Sequence, residues 1–296
     1  MAGKVVVCGV GLIGGSFALA IKSALAGRHD CPRIVGMGRS RATLQEALRL
    51  GVIDAIGADW PSALEGADLV LLAMPVGQMA PVMEALVPHL PPHTLVTDAG
   101  STKSDVIAAA RAAFGQRIAQ FIPGHPIAGA EKSGVAAAQA DLFLNKRVVL
   151  TPLPENRPAD LTAVRRVWEL CGAHVSTLAP EDHDRVFAAV SHLPHLLAFA
   201  LVHDLAQREN ADQLFSFAAG GFRDFTRIAS SHPEMWRDIC IANRAALLKE
   251  VDAFLVELVK TRVLLASADS AGLESLFATA RARRDAWLET LQPVGE

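Results

Sequence analysis

Residues 5–16 read Val5-Val6-Val7-Cys8-Gly9-Val10-Gly11-Leu12-Ile13-Gly14-Gly15-Ser16. An apolar run leads into three glycines with the spacing Gly-x-Gly-x-x-Gly, and an apolar stretch of helical character follows them. The first glycine of such a turn permits a sharp bend, the second lets the backbone approach a pyrophosphate, and the third lets the helix pack closely on the strand. The order strand, glycine turn and helix therefore predicts a Rossmann-type α/β domain that binds a dinucleotide.

Short apolar runs alternate with helical patterns over the first half of the chain. This alternation indicates a parallel sheet that is covered by helices on both faces. The predicted strands are Val5–Val10, Ile34–Met37, Leu69–Ala73, Leu95–Asp98, Ile118–Ile122, Val148–Thr151 and Val175–Leu178. We assign this α/β domain to residues 1–180.

Beyond Pro180 the apolar residues recur at helical spacing with few strand signals, which predicts a second, all-helical domain over residues 181–296. One long helix is apolar on all sides from Leu196 to Leu205, more than a surface-facing helix requires. Such a helix is either the core of its own domain or the interface of a dimer.

Composition narrows the classes of function. The net charge of -3 provides no basic field for nucleic-acid binding. The four scattered cysteines have no metal-ligand spacing, so we expect reduced thiols and no metal site.

The apolar N-terminus is similar to a signal peptide only superficially, since its glycines fall on the phosphate-binding pattern. No later stretch reaches membrane-spanning length without a charge or a proline. We therefore expect a cytoplasmic protein that binds a small molecule, with neither a nucleic acid nor a membrane as partner.

The predicted cofactor site starts at the glycine turn and the first turn of its helix. There the free backbone N–H groups and the helix dipole favour a pyrophosphate. The residues concerned are Gly9, Gly11, Leu12, Ile13 and Gly14.

The end of the second predicted strand lacks the acidic residue that would bond a ribose 2′-hydroxyl. Arg39, Ser40 and Arg41 stand there instead, and their cationic and hydroxyl donors suit a 2′-phosphate. This segment favours NADP as the cofactor, with NAD as the second choice. The alternative interpretation is a solvated charged turn.

Two further segments carry a resemblance to a known family. They are His125-Pro126-Ile127-Ala128-Gly129-Ala130-Glu131-Lys132-Ser133-Gly134 and Gly220-Gly221-Phe222-Arg223-Asp224-Phe225-Thr226-Arg227. With the glycine turn, they resemble the prephenate/arogenate (cyclohexadienyl) dehydrogenase family of tyrosine biosynthesis, and the resemblance runs along most of the chain. It implies a Rossmann-type nucleotide-binding domain followed by an all-helical dimerisation domain, and it favours a homodimer.

The resemblance also implies an activity, the NAD(P)-dependent oxidative decarboxylation of prephenate or arogenate. Hydride loss from the carbon that bears the 4-hydroxyl is coupled to loss of the ring carboxylate. By resemblance His125, expected in a loop, is the base on that hydroxyl, a task that suits a histidine because its pKa lies near working pH. The alternative is a structural loop histidine. Ser101 is expected to bond the hydroxyl or to orient His125; alternatively, Ser101 or Thr102 caps a helix.

The resemblance supplies the substrate-binding residues as well. His195 is expected near the substrate side chain, with Ser191 and His192 in support, and a hydrogen-bonded core histidine is the alternative for both rings. Arg227 is carried over as the ligand of a substrate carboxylate, which a guanidinium binds bidentately. The pattern does not distinguish a pyruvyl from an alanyl side chain.

Four more positions follow from the same pattern. Asp224 either orients Arg227 across one helical turn or belongs to a surface salt bridge. Trp236 is expected to pack in the wall of the substrate pocket. The alternative, an aromatic side chain of the core, is nearly the same prediction. Glu131 shares the His125 segment, where an ionic contact would gate entry. Pro75 resembles a turn residue beside the cofactor, although plain turn chemistry is the alternative.

Two other functions remain open at the level of sequence. A β-hydroxyacid dehydrogenase or an imine reductase shares the domain order, but these families usually have a catalytic lysine on the first helix of the second domain. No lysine lies between Lys146 and Lys249. A redox sensor that binds NADP without turning it over is the non-enzymatic alternative. It would not need Ser101, His125, His195 and Arg227 together.

Overall fold

The computed structural model describes residues 3–130 and 132–290. By compactness the chain divides into two units, Met1–Ala246 and Leu247–Glu296. The domain boundary predicted at residue 180 stays a prediction.

The described strands are β1 (Lys4–Cys8), β2 (Arg33–Met37), β3 (Ala55–Ile56), β4 (Leu69–Leu72), β5 (Leu95–Asp98), β6 (Phe121–Ile122), β7 (Gly124–Pro126), β8 (Arg147–Leu150) and β9 (His174–Thr177). The described helices are α1 (Leu12–Ala24), α2 (Arg41–Arg49), α3 (Trp60–Leu64), α4 (Met79–Leu86), α5 (Ser104–Phe114), α6 (Pro158–Leu170), α7 (Pro180–Phe187), α8 (Leu193–Ala206), α9 (Ala211–Ser216), α10 (Gly220–Thr226), α11 (Pro233–Ala242), α12 (Arg244–Ala266) and α13 (Ser270–Glu289).

The main sheet has six strands in the order β3-β2-β1-β4-β5-β6, and every pairing is parallel. The strand order reverses direction between β1 and β4, and in open α/β sheets ligands bind at such a switch point, outside the carboxyl ends of the strands. The glycine turn follows β1 at this point. The Rossmann-type fold predicted from the sequence is confirmed.

A second, three-stranded sheet corrects part of the sequence prediction. Val148–Thr151 and Val175–Leu178 were expected to extend the parallel sheet, but β8 pairs with β7 on one side and with β9 on the other, in a separate sheet. The short β7 runs antiparallel to β8. An apolar run predicts a buried strand but not its partner, because the partner is set by distant parts of the chain. Likewise, the predicted strand at Ile118–Ile122 shortens to β6, preceded by a 3-10 turn over Gly115–Gln120.

The helix that follows Pro180 is continuous. Between α7 and α8 it contains a π turn over Ala188–His192. Pro194, in the first turn of α8, has no N–H to donate, and a wider turn before it accommodates the missing bond. The segment around Pro194 therefore widens the helix without interrupting it, and π turns of this kind often occur at functional sites.

One described helix, Pro180–Ala206, is long and apolar enough to cross a membrane by length and composition, and 22% of its most apolar window is buried. However, it carries His183, Asp184 and His192 as buried polar residues that bond to protein groups. These contacts tie the helix to the protein interior. Most of its other large apolar side chains are partly buried, and Val186 and Val190 are exposed.

The unit from Leu247 onward consists of most of α12 together with α13. Asp269 caps α13 by accepting a hydrogen bond from the Gly272 N–H at 2.9 Å. Large apolar side chains of this unit lie exposed along both helices: Leu248, Leu255, Val256, Leu258, Val259, Val263, Leu265, Phe277 and Trp287.

Candidate active site

The glycine turn leaves room for a pyrophosphate. Gly9 has a φ of +90°, and a Cβ on it would lie 2.5 Å from the carbonyl oxygen of Ala73. A Cβ on Gly14 would lie 2.2 Å from the Gly9 oxygen, so both positions need glycine. No heavy atom lies within 4 Å of a Cβ built on Gly11, the N-cap of α1, which has no side-chain cap. Uncapped N–H groups beside open space suit a bound phosphate group, so these residues fit a dinucleotide.

The other predicted cofactor residues border the same edge of the sheet. Leu12 and Ile13 form the first turn of α1, and Pro75 follows β4 ahead of a 3-10 turn at Val76–Gln78. This turn packs against α11. The contacts of these residues with a cofactor stay predictions.

Arg39, Ser40 and Arg41 are exposed directly after β2. The Ser40 hydroxyl caps α2: it accepts hydrogen bonds from the Thr43 N–H at 3.2 Å and from the Thr43 hydroxyl at 3.0 Å. Ser40 therefore has a structural task that the sequence interpretation did not foresee. Its O–H can still donate to a 2′-phosphate, so the contacts of Arg39, Ser40 and Arg41 with this group stay predictions.

His125 lies on β7, so the expectation that it occupies a loop is wrong. Backbone pairing with Val149 of β8 holds the residue in place, and its side chain is buried. Nδ1 of His125 lies 2.8 Å from Nε2 of His183 on α7. The ring of Phe187 packs against both imidazoles, with centroid distances of 4.9 and 4.5 Å. A strand and a helix thus fix the orientation of the candidate base.

Asp184 completes a chain of three side chains. Its Oδ1 lies 2.9 Å from Nδ1 of His183, and its two oxygens accept the backbone N–H groups of Lys103 and Ser104 at 2.8 Å each. Burial opposes ionisation of this carboxyl group, but the hydrogen bonds from His183, Ser104 and Lys103 outweigh it and lower the pKa of Asp184 to about 2. Asp184 is therefore an anion at neutral pH.

The same carboxylate caps α5 from another helix. The N-cap residue of α5 is Lys103, which makes no side-chain cap of its own. The alternative in which Ser101 or Thr102 is the N-cap residue is therefore wrong. The expected contact of Ser101 with the substrate hydroxyl or with His125 stays a prediction.

A fully buried ion pair, Lys103 with Asp98, binds the backbone of β7 at Gly124. Lys103 Nζ donates to Asp98 Oδ2 and, at 2.7 Å, to the Gly124 carbonyl oxygen. The Asp98 oxygens also accept the N–H groups of Gly100 at 2.8 Å and Gly124 at 3.0 Å. Buried charges need this degree of hydrogen bonding, since removal of one partner leaves an uncompensated charge. The pair fixes Gly124 and, through it, the neighbouring His125.

His192 is a structural histidine. Its Nδ1 accepts a hydrogen bond from Asn243 Nδ2 at 3.0 Å, and the same amide donates to the Asp184 carbonyl oxygen at 2.8 Å. Burial lowers the pKa of His192 to about 4, although the charge of Asp184 and a hydrogen bond to the Ser101 backbone oppose the shift. Protein groups therefore engage both ring nitrogens. For this ring the hydrogen bond with Asn243 favours the core alternative.

His195 and Trp236 form a stacked pair, with centroids 3.6 Å apart at 18°. Nδ1 of His195 donates to the Ser191 carbonyl oxygen at 2.9 Å, so Ser191 orients this ring through its backbone. Burial lowers the pKa of His195, the hydrogen bond to Ser191 raises it, and the charge of Arg227 lowers it. The charge of Arg227 therefore acts on this ring, and the turn that Arg227 begins packs against α8, the helix of His195.

Arg227 begins a 3-10 turn, Arg227–Ser230, that packs against α8. It is exposed. Asp224 lies one turn earlier, on α10. Its Oδ1 is 3.5 Å from Nε of Arg223, and the side chains of Asp224 and Arg223 are strongly exposed. This contact is a surface ion pair between sequence neighbours. Glu131, the remaining predicted substrate residue, lies outside the described residues.

Sequence reasoning missed His183, Asp184 and Asn243 as parts of the site. No local pattern marks them, because His183 meets His125 across 58 residues and Asp184 meets Lys103 across 81. The signal that could have found them is a His-Asp pair in the first turn of a helix that is otherwise unusually apolar.

Comparison with known proteins agrees with the sequence resemblance. The family model of the prephenate dehydrogenase nucleotide-binding domain matches residues 21–177. The model of the prephenate dehydrogenase dimerization domain matches residues 179–279. Together they cover most of the chain.

Individual relatives are similar over nearly the whole chain. A prephenate dehydrogenase from Bacillus subtilis (strain 168) is 40% identical, covering 96% of this chain and 76% of that protein. A cyclohexadienyl dehydrogenase from Zymomonas mobilis is 34% identical, covering 90% of this chain and 89% of that protein. The crystal structure of prephenate dehydrogenase from A. aeolicus in complex with hydroxyphenyl propionate and NAD+ matches with a TM-score of 0.87 at 36% identity, covering 95% of this chain and 97% of that one.

Proposed function

The chain belongs to the prephenate dehydrogenase family, and from this membership we propose which of its residues carry out the family's reaction. The reaction is the NAD(P)-dependent oxidative decarboxylation of prephenate, arogenate or both. Its products are 4-hydroxyphenylpyruvate or tyrosine. The observation that carries our assignment is the buried His125, held by a strand and hydrogen-bonded to His183 at 2.8 Å.

His125 is the base on the substrate 4-hydroxyl. A nicotinamide cofactor held at the glycine turn would supply the acceptor for the hydride that leaves the carbon bearing this hydroxyl. As the ring carboxylate leaves as carbon dioxide, its bonding electrons enter the ring, which becomes aromatic. Partial transfer of the hydroxyl proton to His125 raises the electron density that expels the hydride. The product is a phenol, so the proton returns to the oxygen and none is consumed overall.

Arg227, His195 and Ser101 bind the rest of the substrate. Arg227 binds a carboxylate, because a guanidinium matches a carboxylate in charge and in its two donors. His195, oriented by Ser191 and stacked on Trp236, borders the pyruvyl or alanyl side chain. Ser101 contacts the reacting hydroxyl from the start of the α5 segment. Glu131 remains a candidate for gating entry, and Asp224 for orienting Arg227.

Steady-state kinetics test this proposal directly. The purified protein is assayed with prephenate and with arogenate, each against NAD and NADP, by following nicotinamide reduction. We expect turnover of at least one substrate, and the four combinations give the preference for substrate and cofactor. Absence of turnover with both substrates, together with oxidation of a β-hydroxyacid, would show that the protein is a β-hydroxyacid dehydrogenase instead.

Cofactor choice depends on Arg39. We propose NADP as the preferred cofactor, since Arg39 and Arg41 are exposed after β2 and no acidic side chain stands there. Arg39→Ala should raise KM for NADP far more than KM for NAD, because only NADP loses a partner for its 2′-phosphate. Arg49→Ala, at the far end of α2 and paired with Glu46, is the matched control. Equal effects of Arg39→Ala on the two cofactors would mean that the arginine is part of a solvated turn.

A homodimer accounts for the apolar surface of the helical segments. The dimerization-domain match extends over residues 179–279, the range that exposes Val190, Leu255, Val259 and Phe277. A second copy of the chain would cover such exposed apolar side chains. Light scattering should give about twice the chain mass of 31.4 kDa. An active monomer would contradict the proposal. The cytoplasmic location expected from the sequence stays a prediction.

A further inference from the structure

Asp184 determines which nitrogen of His183 carries a proton. Its carboxylate accepts the backbone N–H groups of Lys103 and Ser104, and such bonds favour the ionised form. An ionised carboxylate accepts hydrogen bonds and donates none. Nδ1 of His183, 2.9 Å from Asp184 Oδ1, is therefore the protonated nitrogen.

The tautomer of His183 then determines that of His125. A neutral imidazole has a single N–H, so Nε2 of His183 is an acceptor. Nδ1 of His125, 2.8 Å away, must be the donor of this bond. His125 consequently keeps its lone pair on Nε2, the nitrogen that makes no hydrogen bond to residues 3–130 or 132–290.

The two imidazoles differ in basicity. Burial lowers the pKa of His125 well below its ordinary value, and the nearby His183, Lys103 and His192 lower it further. Burial also lowers the pKa of His183, but here the hydrogen bond and the charge of Asp184 act in the opposite direction. Both rings are therefore neutral at pH 7, and of the two it is His183 that contacts an anionic carboxylate.

The charges around His183 favour a proton on this ring. Lys103 faces the pair and opposes a further positive charge, but it is ion-paired with the buried Asp98. Asp184 lies in direct contact with His183 and is an anion. On the other side, His125 contacts the ring and Phe187 packs against it. The contact with Asp184 is thus the strongest stabilisation available to an imidazolium at this point of the site.

We propose that His183 is a positioning residue that fixes the His125 tautomer and stores the substrate proton during the reaction. The inference rests on the proposed role of His125 as the base. As the substrate O–H bond breaks, an N–H bond forms at His125 Nε2. The Nδ1–H bond of His125 then breaks, and an N–H bond forms at His183 Nε2. Return of the proton along the same path to the phenolate oxygen restores all three side chains, so the step balances without a co-reactant.

His183→Gln tests the storage of the proton. A glutamine amide oxygen can accept a hydrogen bond near the position of Nε2 but cannot hold the proton. We expect kcat to fall by about 10- to 10³-fold, with the substrate KM changed by less than about threefold. His174→Gln, an exposed histidine on β9, is the matched control and should leave both constants unchanged.

The pH profile of kcat separates this role from a structural one. In the wild type the acidic limb reports the first protonation of the coupled pair, and the contact with Asp184 favours that proton on His183. In His183→Gln this limb belongs to His125 alone, a buried ring that makes no hydrogen bond to a carboxylate of the described residues, so it should move to lower pH. A variant that had lost only packing would lower kcat without this shift. An unchanged limb, or an unchanged kcat, would overturn the proposal.

The tautomers can be measured on the wild-type protein without substrate. Nitrogen-15 spectra of histidine-labelled protein at pH 7.5 should show His125 and His183 both neutral and both protonated at Nδ1. His125→Asn and His183→Gln assign the signals through the peaks they remove. A proton on Nε2 of His125 would overturn the proposal whatever the activity. Since this measurement needs no turnover, a failure of the relay and a failure of the proposed function give different results.

Discussion

His125→Asn is expected to lower kcat by about 10² to 10⁴, the usual range for loss of a positioned acid/base group. The asparagine amide nitrogen takes up the position of Nδ1 and can still donate to Nε2 of His183, so the buried contact survives while the basic Nε2 is lost. NADP should bind as in the wild type, because the glycine turn lies on a different strand end. Stopped-flow and steady-state assays measure kcat, and fluorescence titration measures the NADP dissociation constant.

A surface histidine provides the control for this variant. His174→Asn, on the exposed edge of β9, should keep wild-type kcat. If His125→Asn retains near wild-type kcat as well, His125 is removed from the mechanism and the relay built on it falls too. If NADP binding and kcat are lost together, the residue is instead required for the fold of the β7 sheet.

Arg227→Ala is expected to raise KM for prephenate or arogenate by one or more orders of magnitude, which corresponds to about 1.4 kcal/mol or more of lost binding free energy. A lysine at this position should restore the charge but not the planar pair of donors, so Arg227→Lys should recover only part of the loss. The NADP dissociation constant and the melting temperature should stay nearly unchanged, since the side chain is exposed and contributes little to packing.

Arg223→Ala is the matched control, because Arg223 lies one turn earlier and pairs with Asp224 on the surface. Exposed ion pairs of this kind contribute little to stability, so this variant should change neither KM nor the melting temperature appreciably. A large effect of Arg223→Ala and a small one of Arg227→Ala would move the carboxylate contact to Arg223. Small effects of both would move it to His195.

Several features of the site could be predicted because their signals are local. Gly9 and Gly14 must be glycines for reasons that involve only the strand, the turn and the helix of one unit, and the spacing of the three glycines records this requirement. The family motifs around His125 and Arg227 are likewise short, and they pointed to the activity. Helical periodicity after Pro180 was sufficient to predict the helical part of the chain.

Other features could not be predicted, because they depend on which segments meet. The apolar runs at β8 and β9 indicated strands, but a period of two residues carries no information about the partner strand. The cap that the Ser40 hydroxyl provides for α2 was not foreseen, and its predicted contact with a 2′-phosphate stays a prediction. The alternative interpretation of Ser101 or Thr102 was a cap of α5, whereas the carboxylate that caps α5 belongs to Asp184 on α7.

The sequence by itself determined the Rossmann-type turn, the family and the identity of the candidate base, since each depends on contiguous residues with fixed spacing. Only the tertiary structure decided how that base works. It placed His183 and Asp184 against His125 and the α5 N-terminus, and so selected one tautomer and one basic nitrogen. The physical reason is that proton position and pKa depend on burial and on hydrogen-bond partners, and here folding brings those partners together across 58 and 81 residues of chain.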